Sequence, residues 1–263
     1  MTPQRQPPTD IVRRQWLAWA AALPLLPACI SPAHMPTDEA SAHPGADLND
    51  SAWARAHRLP GISSRWQHRT FPNRQPVRYE PVADWHGRPA LRATAQRANS
   101  LVHLPLRHPI SPRTHWAFSW WASSLNPQTD ITDPSRNDVT LRWTLTFDGD
   151  RAAFSRRDHM LSELALLMTG EPLPHATLMY VWDPVHPVGS ILPHPHTERI
   201  RHLVVQSGTE GLQQWQYHER DLYSDFEAAF GESPGALLGI GAFTNSNNTG
   251  HPTQAWYGPV ALT

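Results

Sequence analysis

Residues Asn137 to Asp150 read NDVTLRWTLTFDGD. Val139, Leu141, Trp143, Leu145 and Phe147 alternate with Thr140, Arg142, Thr144 and Thr146. A period of two, apolar against polar, marks a half-buried antiparallel strand. Thr, Val, Trp and Phe also suit a pleated surface. Asp148-Gly149 follows as a hairpin-type turn pair. Trp143, on the apolar side, is expected in the core.

The flanking sequence supplies partners for this strand. Val77 to Val82, Ala90 to Gln96, Asn99 to Leu106 and His115 to Ser123 are short candidate strands. In the last, Trp116, Phe118 and Trp120 oppose Ala117, Ser119 and Trp121. Further strands are expected at Thr177 to Trp182, His202 to Ser207, Leu212 to His218, Leu237 to Thr244 and Gln254 to Leu262. The segment HPVGSILPHPH between the first two of these reads as a loop. Two stretches change period. Met160, Leu161, Leu164, Leu167 and Met168 recur at helical spacing over Arg157 to Met168, and Leu222, Phe226 and Phe230 do so over Asp221 to Phe230. Gly170 and Gly231 stop them. The expected fold is all-β, an antiparallel two-sheet β-sandwich (jelly roll) with two short helices.

With 263 residues and 40% hydrophobic content, one large domain with a real core is within reach. A formal net charge of −1 gives no electrostatic case for nucleic acid. All 22 basic residues are Arg, so the choice of Arg over Lys at any position carries no message. One cysteine, Cys29, excludes an intramolecular disulfide and any zinc site needing several thiolates.

Residues 1–28 read as a signal peptide. Arg13-Arg14 precede the apolar run Trp16 to Leu26, which is shorter than the about 20 residues that span a bilayer. The run ends in Leu26-Pro27-Ala28-Cys29, which resembles a bacterial lipobox and implies lipidation of Cys29. The segment around Arg13-Arg14 also resembles a twin-arginine export signal. Residues 29–50, rich in Pro, Ala, Ser, His and Asp, are expected to be a flexible tether. A single domain is expected over 51–263. These features imply a cell-envelope protein, anchored by lipid and facing the periplasm from the outer membrane.

The pattern of the domain resembles the bacterial domain-of-unknown-function family 3047. Leu91, Trp120, Asp138, Arg142, Tyr180, Trp182, Ser207-Gly208, Trp215, Arg220 and Asp225 carry the match, with Phe230-Gly231 and the ending TNSNNTGHPTQAWYGPVAL. Order and spacing hold from about Trp66 to the C-terminus. The resemblance implies a sandwich like the galactose-binding or carbohydrate-binding jelly rolls, and it brings no catalytic residues. In that family the final loop carries acidic residues where this chain has Asn245 and Asn247. A structural Ca²⁺, which wants charged oxygens, is weakened by the two amides. No other cofactor is expected.

Asp138 and Arg142 stand four apart on one strand face, flanked by Thr140 and Thr144. They either line a polar groove or form a structural ion pair with Arg220 or Asp225. Trp121, opposed to its aromatic neighbours, is the candidate stacking platform for a sugar ring. The candidate ligand site is therefore Arg142, Asp138, Thr140 and Trp121. His186, His194, His196 and His202 crowd one segment, but no Cys or carboxylate stands at ligand spacing, so no metal site is expected. HExxH is absent. Asp138, Glu163, Asp225 and Glu227 offer carboxylates for glycosidase chemistry, yet their spacing selects no pair. A non-catalytic domain binding an envelope glycan or another small ligand is expected. A polysaccharide-active enzyme and an envelope scaffold are the alternatives.

Overall fold

The computed structural model describes residues 47–263. Cys29, the signal peptide and most of the tether lie outside these residues. Thirteen strands are present: β1 (Gln67–Thr70), β2 (Arg78–Val82), β3 (Ala90–Ala95), β4 (Asn99–His108), β5 (His115–Trp121), β6 (Arg142–Phe147), β7 (Ala176–Asp183), β8 (Ile191–His194), β9 (Thr197–Ser207), β10 (Gln216–Asp221), β11 (Leu237–Asn245), β12 (Thr253–Tyr257) and β13 (Ala261–Leu262). Three helices accompany them: α1 (Ala52–Arg55), α2 (Arg156–Thr169) and α3 (Leu222–Phe230). The two longer ones are those expected from periodicity. The single turn of α1, capped by the Ser51 hydroxyl, is an addition.

The strands form a seven-stranded sheet, β1-β4-β11-β6-β7-β9-β8, and a six-stranded one, β10-β5-β12-β3-β2 with β13 beside β5. Pairing is antiparallel except between β7 and β9, which run parallel. The β8 strand occupies the Pro- and His-rich segment expected to be a loop, as the edge partner of β9. An edge strand tolerates Pro193, whose missing N–H would break an interior ladder. Leu212 to Trp215 is not strand; β10 starts at Gln216. Asp148-Gly149 turns no hairpin. It leads from β6 toward α2, and the Asp148 N–H is taken by the Ala236 carbonyl.

The main core lies between the sheets. Trp53, Trp116, Trp120, Trp143 and Trp182 have no exposed surface. Trp143 meets Trp116 edge-on at 5.8 Å, and Phe118 stacks on Tyr180 at 5.6 Å. Offset and edge-to-face rings suit the aromatic quadrupole.

The alternation that begins at Val139 holds from Leu141 to Phe147 but breaks before it. Leu141, Trp143, Leu145 and Phe147 join the main core. Val139 packs instead with Ile131, Met179, Val181 and Val204 in a second, smaller core on the outer side of the seven-stranded sheet. The loop between β5 and β6 folds over that side. Two Asx turns, at Asp130 and Asp133, shape it.

In α2 the faces are inverted. Asp158 and Ser162 point inward and are buried, while Met160, Leu164 and Leu167 are 61%, 50% and 84% exposed. The reason is polar anchoring: Asp158 accepts bonds from the Ser155 and Thr197 hydroxyls, and the Ser162 hydroxyl accepts one from Arg151. Helical spacing locates the helix, but the apolar residues that carry it are not the ones the helix buries.

Candidate functional site

Arg142, Asp138 and Thr140 are interior, not groove-lining: all three are buried. Arg142 lies on the outer side of β6, beneath the loop that forms the smaller core. Its guanidinium sits 4.0 Å from the Phe243 ring and donates from Nη2 to Asn245 Oδ1 at 2.6 Å. Burial lowers its pKa to about 10, with Tyr257, Asp138 and Tyr79 opposing the shift. It stays charged at neutral pH. No carboxylate pairs with it among the described residues.

Asp138 is linked to Arg142 through Asn245. The Asn245 Nδ2 donates to Asp138 Oδ1 at 2.7 Å while its Oδ1 serves Arg142. The other Asp138 oxygen accepts from the Thr249 N–H and hydroxyl at 2.7 and 2.8 Å. Thr140 Oγ1 accepts from the Asn126 N–H at 3.2 Å. These side chains lock the β5–β6 loop to the loop after β11. The expected ion pairing with Arg220 or Asp225 is absent, because those two hold each other at 2.6 and 2.8 Å. Tyr180 adds its hydroxyl to Asp225 at 2.8 Å.

Trp121 is on the other sheet, on the outer side of β5, so Arg142 and Trp121 cannot share a ligand face. It is 6% exposed. His86 stacks on it at 5.4 Å, and Trp85 and Trp256 meet it edge-on at 5.3 and 4.7 Å. The platform is already covered by the protein's own rings.

An open aromatic surface adjoins that cluster. The β2–β3 turn, fixed by the Asp84 carboxylate on the Gly87 N–H, delivers Arg88 across the outer side of the six-stranded sheet. Arg88 Nη1 donates to Ser119 Oγ at 2.7 Å. Its guanidinium carbon lies 4.4 Å from the Tyr217 ring centre and 5.4 Å from that of Trp215. Tyr217 stands opposite Ser119 in the ladder and is 62% exposed. A depression of about 620 Å³ lies beside them, lined also by Arg58, His218 and Glu219. Neither Arg58 nor Arg88 has a carboxylate partner among the described residues. Burial lowers the His218 pKa to about 4, aided by Arg220, so the ring is neutral near pH 7.

A second, larger groove of about 980 Å³ crosses the outer side of the seven-stranded sheet. Leu101, His103 and Thr146 form its floor, and Phe71 and Leu173 its walls. Gly239 makes room for the floor: a Cβ there would stand 2.2 Å from His103 Nε2. Burial, with Arg69 adding, lowers the His103 pKa to about 4. Arg69 pairs with Glu171 at 2.6 Å, and Arg107 with Asp148 at 2.8 Å. Hydrogen bonds from Arg69 and Arg107 hold both carboxyls below their ordinary pKa.

Arg88, Tyr217 and His103 were not singled out from sequence. Arg88 had a signal in the turn residues Asp84 to Pro89 between two strands. Tyr217 and His103 had none, since one aromatic and one imidazole on alternating strands look like any others. Among the described residues no group of three or more His, Cys, Asp or Glu is placed to hold a metal ion. No helix of these residues is long and apolar enough to cross a membrane.

Among solved structures, the chain is similar to the xyloglucanase domain of NopAA, a type three effector from Sinorhizobium fredii, in complex with cellobiose. Identity is 8%, the TM-score 0.37, and coverage 75% of this chain and 92% of that one. It is also similar to the endo-1,4-β-glucanase CelB2, at 12% identity, a TM-score of 0.37, and coverage of 77% and 97%. Such distant likenesses do not bear on what this chain binds or does. No curated protein matches it. The family does: its model matches residues 64–261, and the chain belongs to the family described as "Protein of unknown function (DUF3047)".

Proposed function

We propose that the domain is a non-catalytic binder of acidic glycans in the cell envelope, held there by lipid on Cys29. The observation that carries the binding reading is an exposed Tyr217 held against Arg88 beside a depression that Arg58 also lines, neither arginine having a carboxylate partner among the described residues. Aromatic rings stack on the C–H faces of sugars, and a guanidinium fork matches a uronate carboxylate. Arg88 is held in place by Ser119 and Tyr217, so little freedom is lost when a ligand arrives. Binding is favoured over hydrolysis on chemical grounds. A glycosidase needs one carboxylic acid kept protonated near neutrality beside a second carboxylate. The depression is lined by one carboxylate, Glu219. The two in the larger groove are both pulled toward the ionised form.

Calorimetric titration with neutral oligosaccharides and with oligogalacturonates tests this. The acidic series is expected to bind, and Arg88→Ala and Tyr217→Ala each to weaken it at least tenfold without moving the melting temperature by more than a few degrees. No saturable heat with either series would overturn the reading. The anchor rests on the lipobox pattern, and Cys29→Ser is expected to release the protein from membranes. A Ser variant that fractionates like the parent would remove the anchor.

A further inference from the structure

The larger groove differs in chemistry from the aromatic depression and lies on the opposite sheet. Its walls are hydrocarbon: Phe71, Leu101, Leu173 and Leu238, with prolines at 72 and 174. Arg151 enters from the segment after β6. Its guanidinium is oriented by the Ser162 hydroxyl and lies 5.3 Å from the Phe154 ring. No carboxylate pairs with it among the described residues. An uncompensated cation at the edge of an apolar trough calls for a ligand that is apolar along its length and anionic at one end.

Helix α2 borders the groove with its inner side. Ala165 of α2 lines the groove. The outward face of the same helix shows Met160, Leu164 and Leu167 to water, 61%, 50% and 84% exposed. Their spacing places them on one stripe. Large apolar side chains grouped on a surface mark a place where apolar material is met. The stripe points away from the Ala165 side of the helix and is not part of the groove lining.

We propose that this groove binds a single-chain anionic amphiphile, an alkyl chain ending in a carboxylate or phosphate. The chain lies along Leu101, Phe71 and Leu173. The head group meets the Arg151 guanidinium, and His103, neutral near pH 7, serves as a hydrogen-bonding partner without competing charge. Glu171 and Asp148 do not repel the head group strongly, since each is engaged by an arginine of its own.

The test is calorimetric titration of the purified protein with decanoate, decyl phosphate and decanol, each below its aggregation concentration. The expected result is one site for at least one of the two anions. Decanoate and decyl phosphate side by side separate a fatty-acid head from a phospholipid-like one. Arg151→Gln should weaken the bound anion at least tenfold and change decanol binding less than twofold. Leu173→Glu, a loop substitution, should abolish all three with little change in melting temperature. The proposal is overturned if neither anion binds saturably. It is equally overturned if Arg151→Gln binds the anion as the parent does, or loses decanol along with it. Glycan binding at Arg88 is a separate reading, and neither result decides the other.

Discussion

Asn245 is the residue on which the buried polar cluster turns. An amide has a donor and an acceptor on one carbon, and both are used. The oxygen faces Arg142 Nη2 at 2.6 Å and the Val139 N–H at 3.0 Å, while the nitrogen faces Asp138 at 2.7 Å. A carboxylate here would satisfy Arg142 and confront Asp138 with a second negative charge. Asn245→Asp is therefore expected to destabilise the domain by about 2–4 kcal/mol, since it breaks one buried bond and buries like charges together. The urea midpoint measures it, and an unchanged midpoint would show that the two carboxyls share a proton at no cost. The sequence showed Asp138 and Arg142 as a spaced pair but not what lies between them. Asn245 reaches them only through tertiary folding. Alternation along one strand reports which side a residue faces, not whether a distant loop covers that side.

At the scale of the element, the β5–β6 loop and α2 make the same point in opposite senses. The loop is mostly polar in sequence, yet its Ile131 is fully buried in the smaller core with Val139 and Met179. It converts a sheet face that would otherwise be wet into interior. Ile131→Ala should cost about 2–4 kcal/mol. Amides of residues 129–138 should then exchange faster while those of β6 and β11 keep their protection. If the exchange rates in the loop do not change, the loop is held by Asp138 and its partners alone. In α2 the apolar spacing was legible and its direction was not. Asp158 and Ser162 are drawn inward by hydroxyl and guanidinium partners from other segments, and local periodicity carries no record of those. β8 was hidden for a related reason: Pro193 and the histidines lower strand propensity, and an edge position next to β9 rescues them.

For the whole molecule, the interior holds several histidines in their neutral form. Burial lowers the pKa of His57 to about 3 and those of His103, His194 and His218 to about 4. In the unfolded chain each would titrate near 6.5. Between about pH 6.5 and 4 the unfolded state therefore binds more protons than the native one, and stability falls as pH falls. Each such histidine contributes a slope of up to about 1.4 kcal/mol per pH unit. Below that window, carboxylates such as Asp133, whose pKa hydrogen bonds from Ser135 lower to about 2, take over the loss. Urea midpoints measured from pH 7.5 to 4 should drop steadily from about pH 6.5. A flat profile down to pH 4.5 would mean that these rings are protonated in the native state.

The order of strands has a temporal meaning. β11 and β12 come almost last in the chain, yet each is an interior strand of its sheet. β11 joins β4 to β6, and β12 joins β3 to β5. Local hairpins such as β2–β3 can form early, but both sheets stay split into halves until residues 237–257 are available. A chain lacking residues 237–257 would leave two half-sheets with open edges in each layer, so the closing step of folding belongs to these two strands.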